Sequence, residues 1–266
     1  MEEIHDIKAR ALEKPVYSYE FSICTLVTRK EEYIEMINSF QKSGFTNDIC
    51  EFIYADNSEK NSFDAYEALN YFLRQAKGKY VIICHQDVLI NKDNINDLKN
   101  LLSELDVYDS NWAICSNAGA SGPNHIVYHI SYPDDLFMSK GKFPLKVSAV
   151  DENFILVKNE ALLKVSNDLK GFHLYGADLC LQAQINGYTA YVIPFNLLHK
   201  SRGNKDAEFY NIRKKLISKY DNFFKNRWIQ TNSTVFYLSG SSFKFLWANP
   251  FALFFVRMFN GIKKRI

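Results

Sequence analysis

The run Tyr80-Val81-Ile82-Ile83-Cys84 is apolar without a break and stops abruptly at His85-Gln86-Asp87. A stretch so short and so rich in β-branched residues predicts a strand covered on both faces, the situation of a parallel strand with helices packed on either side. Two earlier segments repeat the arrangement. Residues 19–28, YEFSICTLVT, are followed by the helix-permitting EEYIEMINSFQKSG. CEFIYADNS is followed by residues 62–77, in which Phe63, Tyr66, Leu69, Tyr71, Phe72 and Ala76 recur at roughly helical spacing before Gly78. This alternation predicts an α/β fold, a mainly parallel sheet flanked by helices. The second half adds expected strands at 112–116, 150–158 and 189–194, and a helix from Tyr175 to Asn186 closed by Gly187. Residues 119–146 carry Gly, Pro, Asn and Asp without a period and read as a long functional loop.

Ligands of open α/β sheets bind beyond the carboxyl ends of the strands. The residues to inspect are therefore the polar ones at which each apolar run stops: Thr28 and Arg29, Asp56-Asn57-Ser58, and His85-Gln86-Asp87. Taken alone, each has a bland explanation. Asp-Asn-Ser makes a turn by its own local hydrogen bonds, Arg29 suits a solvated surface, and an aspartate or histidine at a strand end can simply cap it.

The order of motifs narrows the choice. SICTLVTRKEEY, YADNSEKN, CHQDV, VDENFILVKNEAL, GFHLYGADLCLQAQINGY and IPFNLLHKSRG, taken together over residues 19–205, resemble the bacterial glycosyltransferases related to family two. The likeness is to the subgroup with His-Gln-Asp where others have Asp-x-Asp. The resemblance implies a GT-A, Rossmann-like catalytic domain over 19–205, which leaves an N-terminal extension over 1–18 and a C-terminal region over 206–266 that is expected to be helical. It implies transfer of a sugar from a nucleotide-diphosphate donor, with UDP expected, to an acceptor hydroxyl with inversion. The glycan or lipid-linked acceptor would belong to surface polysaccharide or glycolipid synthesis.

Such a reaction needs charge neutralisation on the leaving diphosphate and a base for the acceptor, tasks suited to a divalent cation and a carboxylate. The resemblance makes Asp87 the metal-binding aspartate, with Mn²⁺ or Mg²⁺ as cofactor, and His199 a ligand of the metal or the diphosphate. His85 stands where relatives have their first aspartate and would touch donor sugar or phosphate. Asp56 would recognise the nucleoside, with Thr28 and Arg29 beside it and Asn57 and Gln86 completing the donor site. Relatives carry an acid at the position of Gly176 and use that region as catalytic base. Here the base is either Asp178, favoured by a helix N-terminus, or Asp151, which otherwise orients the acceptor. A sugar-nucleotide pyrophosphorylase needs a glycine-rich loop after the first strand, which Thr28-Arg29-Lys30-Glu31-Glu32 lacks. A non-catalytic scaffold is the other competitor, and Gly176 is its best support.

At 47% hydrophobic and 23% charged, the 266 residues have the composition of a folded protein. The five cysteines lie singly in apolar segments without a CxxC spacing, so neither a zinc site nor a disulfide framework is expected. Residues 240–266 hold Lys244, Arg257, Lys263, Lys264 and Arg265 and no acid, a charge of +5 within a chain of net +2, so the rest sums to −3. That distribution argues against a nucleic-acid partner. The same tail is dense in Phe and Trp, and its uncharged run 245–256 is shorter than the ~20 residues a span needs. It reads as an amphipathic segment at an anionic membrane surface. The competing reading has it packed on the catalytic domain or on a second subunit of a homo-oligomer. The N-terminus MEEIHDIK has no apolar signal, so the expected location is cytoplasmic and peripheral at the inner face of the cell membrane.

Overall fold

The chain begins with β1 (Tyr19–Val27), α1 (Lys30–Lys42), β2 (Cys50–Asp56), α2 (Ala65–Gln75) and β3 (Gly78–Cys84). The three strands lie in the order β2-β1-β3, and both pairings are parallel. Their connections are helical because each carries one apolar face. Tyr33, Met36 and Phe40 of α1 and Ala65, Tyr66, Ala68, Leu69 and Phe72 of α2 are buried. The side chain of Asp64 opens α2 by accepting the Glu67 N–H. The computed structural model describes residues 10–201 and 206–263, with side chains through 259.

Next come β4 (Val88–Leu89), α3 (Ile95–Tyr108) and β5 (Trp112–Ser116). The helix α3 lies outside the elements read from the sequence. A reciprocal capping box between Asn94 and Asp97 starts it, and Ile95, Leu98, Leu102 and Leu105 are buried. Trp112 is fully buried, stacked 6.2 Å from Tyr80, and its Nε1 donates to Asp106.

Residues 117–150 depart most from expectation. In place of the long loop expected over 119–146, the chain forms β6 (Ala118–Gly122), β7 (His125–Tyr132), β8 (Leu136–Lys140) and β9 (Leu145–Val147), and β10 (Ala149–Val150) follows. β6, β7 and β8 make antiparallel hairpins in a second sheet. This excursion returns the chain at the carboxyl end of β3, where the His85 N–H donates to the Asn153 carbonyl and Phe154 faces Cys84. With no helical crossover to carry it back, β11 (Phe154–Lys158) runs antiparallel to both β3 and β5. The strand expected over 150–158 is thus two strands split by a turn at 151–153.

After α4 (Tyr175–Ile185) come β12 (Thr189–Val192) and β13 (Leu198–His199). β12 is parallel to β5, and β9 is antiparallel to β12. The main sheet, β2-β1-β3-β11-β5-β12-β9, is therefore mixed, which corrects the expectation of a mainly parallel one. The second sheet has the order β10-β6-β7-β13-β4, with β8 beside β7. The core lies around the main sheet, including Phe21, Ile23, Ile82, Leu102, Phe154 and Phe195.

The chain divides into two compact units, Met1–Ile212 and Arg213–Ile266, so the division falls within α5 (Ala207–Phe224). The second unit continues with the hairpin of β14 (Arg227–Gln230) and β15 (Val235–Leu238), then α6 (Pro250–Lys263). Phe243, Phe245, Trp247, Phe251, Phe254 and Phe259 are exposed there. Among the described residues, no helix is long and apolar enough to cross a membrane. Residues 1–9 of the N-terminal extension, 202–205 and the basic pair Lys264 and Arg265 lie outside the described residues, as does the side chain of Lys263.

Candidate active site

The polar residues that end the strands converge. His85 follows β3 directly, and Asp87 lies two residues on, just before β4. β13 pairs antiparallel with β4, setting His199 opposite Val88, while the Lys200 N–H donates to the Asp87 carbonyl at 3.1 Å. Two backbone constraints thus deliver His199 to Asp87 from far along the chain. His199 Nε2 lies 3.5 Å from Asp87 Oδ1, and the His85 and His199 rings are 5.5 Å apart. Ligand atoms of His85, Asp87 and His199 all fall within 4.8 Å of one another.

Electrostatics suits this trio to a cation. Burial alone would raise the Asp87 carboxyl, but hydrogen bonds from His199 and Ser201 and the nearby imidazoles hold it well below the usual carboxylate range. Burial is the main cause that lowers His85, and His199 beside it adds to the shift, so His85 favours its neutral form with a lone pair available. One ionised carboxylate and two imidazoles are a mixed oxygen and nitrogen donor set open to a divalent first-row cation, Mn²⁺ among them, with the carboxylate its anionic ligand. Asp87 and His199 are 5% and 7% exposed, enough shelter to strengthen any charge interaction made there. A second group, His173, Asp206 and Glu208, has ligand atoms equally close, but both acids are exposed.

The other strand-end residues divide by what their side chains hold. Gln86 is buried, and its amide is turned onto the end of β1. Its Oε1 accepts the N–H groups of Thr28 and Arg29 at 2.8 and 2.9 Å, and its Nε2 donates to Thr28 Oγ1 at 2.9 Å. Gln86, expected among the donor-binding residues, thus positions Thr28 and Arg29, both exposed. Asn57 is similar. Its Oδ1 accepts from Ser62 and Phe63, its Nδ2 donates to the Phe63 carbonyl, and it holds the 57–63 loop in shape. Asp56 is exposed. Its carboxyl is lowered to about 2, first by the Ser58 hydrogen bonds and then by Lys30, whose Nζ is 3.2 Å away. Arg29 pairs with Glu32 at 3.0 Å.

Asp178, expected as one of two candidate bases, has a closed environment. It lies in the first turn of α4, as expected, but it is 0% exposed, and its oxygens accept the Ser166 N–H at 2.6 Å and the Ser166 hydroxyl at 2.7 Å. Its carboxyl is thus sealed from solvent and bound to Ser166. It fastens α4 to residue 166. Asp151, by contrast, is exposed in the turn between β10 and β11, where its Oδ1 accepts the Asn153 N–H at 3.0 Å.

No role is expected of Glu152 from the sequence. Its Oε1 accepts the Gly176 N–H at 3.1 Å at the start of α4. Burial pushes its carboxyl up to about 8, with Asp151 adding to the rise and the amides of Gly176, Tyr175 and Leu174 opposing it. The neighbouring Tyr175 hydroxyl is 3.1 Å from His85 Nε2 and donates toward the Glu152 carbonyl at 3.4 Å. Residue 152 is therefore one tyrosine hydroxyl away from the cluster. The available signal was the pair of consecutive acids just before an apolar strand, in a chain that has glycine where an acid is expected.

No family model matches the chain. A protein of Fuscovulum blasticum named ATP synthase subunits region ORF 6 is 38% identical over 216 residues, covering 78% of this chain and 86% of that protein. Among solved structures, the fold resembles the mannosyltransferase PcManGT from Pyrobaculum calidifontis, determined in complex with GDP-Man and Mn²⁺. The TM-score is 0.50 and the identity 14%, over 82% of this chain and 68% of that one. A further match, TarS of S. aureus, is 15% identical with a TM-score of 0.48, over 76% of this chain and 40% of that one. The architecture is thus a mixed α/β fold resembling GT-A glycosyltransferases.

If Asp178 is structural, Asp178→Ala strands a buried N–H and a buried hydroxyl and should lower stability by at least about 2 kcal/mol, read from urea denaturation. A solvent-facing base would leave the midpoint within error of the unsubstituted chain.

Proposed function

The chain belongs to the family of the Fuscovulum blasticum ATP synthase subunits region ORF 6 protein, and from the fold and the strand-end cluster we propose that it is a metal-dependent glycosyltransferase. In this reading it moves a sugar from a nucleotide-diphosphate donor to an acceptor hydroxyl by inverting displacement, with residues 19–205 as the catalytic domain. The observation that carries the proposal is the convergence of His85, Asp87 and His199 beyond the end of β3. The fold likeness to a mannosyltransferase that holds a nucleotide sugar and Mn²⁺ supports it.

His85, Asp87 and His199 would hold Mn²⁺ or Mg²⁺, and the chemistry such a cation supplies is charge neutralisation on the leaving diphosphate. The chain's own residues do the rest. Thr28 and Arg29, fixed by Gln86, and Asp56, beside the loop shaped by Asn57, form an exposed rim at the ends of β1 and β2 for the nucleoside. UDP is the expected nucleotide. Asp87 stays ionised and contributes the negative charge that draws the cation to two imidazoles.

Asp87→Ala should weaken binding of UDP or GDP in the presence of Mn²⁺ by at least tenfold, and EDTA should do the same to the unsubstituted chain. Calorimetry checks both. Affinity indifferent to EDTA and to Asp87→Ala contradicts the metal assignment, while Mn²⁺-dependent binding of nucleotide sugars without any turnover supports a non-catalytic scaffold instead.

The second unit suggests where the reaction takes place. Phe243, Trp247 and Phe251 are 68%, 63% and 75% exposed, in a segment whose charged residues are all basic. We propose that this surface rests on an anionic membrane, bringing the enzyme to a lipid-linked acceptor in surface polysaccharide or glycolipid synthesis. The chain should float with vesicles of phosphatidylglycerol at low salt and release as salt rises. Flotation that persists unchanged after truncation before Ser242 contradicts this role.

A further inference from the structure

A carboxyl group at the start of α4 is supplied in this chain from outside the helix. Gly176 occupies the helix position where an acid is expected, and the space beside it is already taken. A Cβ built on Gly176 would lie 2.6 Å from the Val150 carbonyl oxygen and 3.2 Å from Glu152 Cγ. The first is a backbone atom of β10, which cannot swing aside, so no side chain fits at 176 without moving that strand. The Glu152 side chain fills the gap instead, its carboxyl oxygen accepting the Gly176 N–H. The two features are complementary. The glycine makes room for an incoming glutamate, and the glutamate restores an acidic group to the helix start.

Resting on the glycosyltransferase reading above, we propose that Glu152 is the group that takes the proton from the acceptor hydroxyl. The acceptor O–H proton passes to a Glu152 oxygen as the acceptor oxygen bonds to the sugar's anomeric carbon. The bond from that carbon to the diphosphate oxygen breaks, and its electron pair leaves with the nucleoside diphosphate. Donor sugar and acceptor alcohol supply every atom, and no oxidant or reductant is needed.

Three observations favour Glu152 over its neighbours. Asp178, on the same helix, is sealed and bound to Ser166. Asp151 is exposed and folded back on the Asn153 N–H. Glu152 is half-buried, its carboxyl lies at the start of α4 on the Gly176 N–H, and the adjacent Tyr175 reaches His85 Nε2 with its hydroxyl at 3.1 Å. Burial raises its carboxyl to about 8, so the ionised form that can accept the proton grows as pH rises toward that value.

The experiment compares the unsubstituted chain with Glu152→Gln, Glu152→Asp and Asp151→Asn. The probes are UDP-glucose, UDP-galactose, UDP-N-acetylglucosamine and GDP-mannose with Mn²⁺, and the readout is release of nucleoside diphosphate with water as acceptor. Binding of UDP and GDP with Mn²⁺ is measured in parallel, with a melting curve for each variant. Glu152→Gln keeps a hydrogen-bond acceptor for the Gly176 N–H and should melt within a few degrees of the unsubstituted chain. Its affinity for the nucleotide should change less than threefold while turnover falls by about 10²–10⁴-fold. Glu152→Asp should recover part of that turnover, and Asp151→Asn should lose less than tenfold. Turnover of Glu152→Gln within threefold of the unsubstituted chain, or loss confined to Asp151→Asn, overturns the assignment while leaving the glycosyltransferase reading intact. Parallel losses of nucleotide affinity and melting temperature in Glu152→Gln mark a structural role and overturn it as well. An unsubstituted chain that neither binds these nucleotides nor releases them overturns the functional reading itself, and this assignment with it.

Discussion

The end of β3 is the point from which the rest of the site is built. The strand is buried on both faces between parallel β1 and antiparallel β11, so its position is fixed by core packing, and the three residues after it inherit that rigidity. Each then does a different task. His85 receives its backbone partner from Asn153 and its side-chain partner from Tyr175. Gln86 turns back to clamp the end of β1. Asp87 meets His199 through the short pairing of β4 with β13. A shift of one residue along β3 would exchange these directions, because side chains alternate across a strand. The strand's burial is what makes such a shift costly.

Where one period dominates, the sequence was legible. The apolar runs of β1, β2 and β3 and the faces of α1 and α2 announce themselves, and the polar residues that end the runs mark the site. The excursion through β6, β7 and β8 was not legible, because its strands carry Gly119, Gly122 and several exposed positions that give no steady alternation. Its consequence, an antiparallel β11, follows from tertiary connection, which no local pattern records. α3 is a different case, since Ile95, Leu98, Leu102 and Leu105 carry a helical period and Asn94 a cap, so the signal was present and went unread.

Among the site residues, chemical type was easier to read than direction. Gln86 and Asn57 are polar residues at strand ends, yet both spend their amides on the chain itself. Asp178 has the right type and the right place on a helix, but it points into the protein because Ser166 lies beneath it. Glu152 was missed for the converse reason, since its importance rests on the emptiness of Gly176, a residue distant in sequence.

The account depends most on the cation proposed between β3, β4 and β13. Crystals grown with Mn²⁺ and a nucleoside diphosphate, with data collected at the manganese absorption edge, test it directly. The expected map has an anomalous peak within bonding distance of His85, Asp87 and His199, adjacent to the diphosphate. Bound nucleotide with no manganese peak at these three residues, or a peak held by other residues, contradicts it.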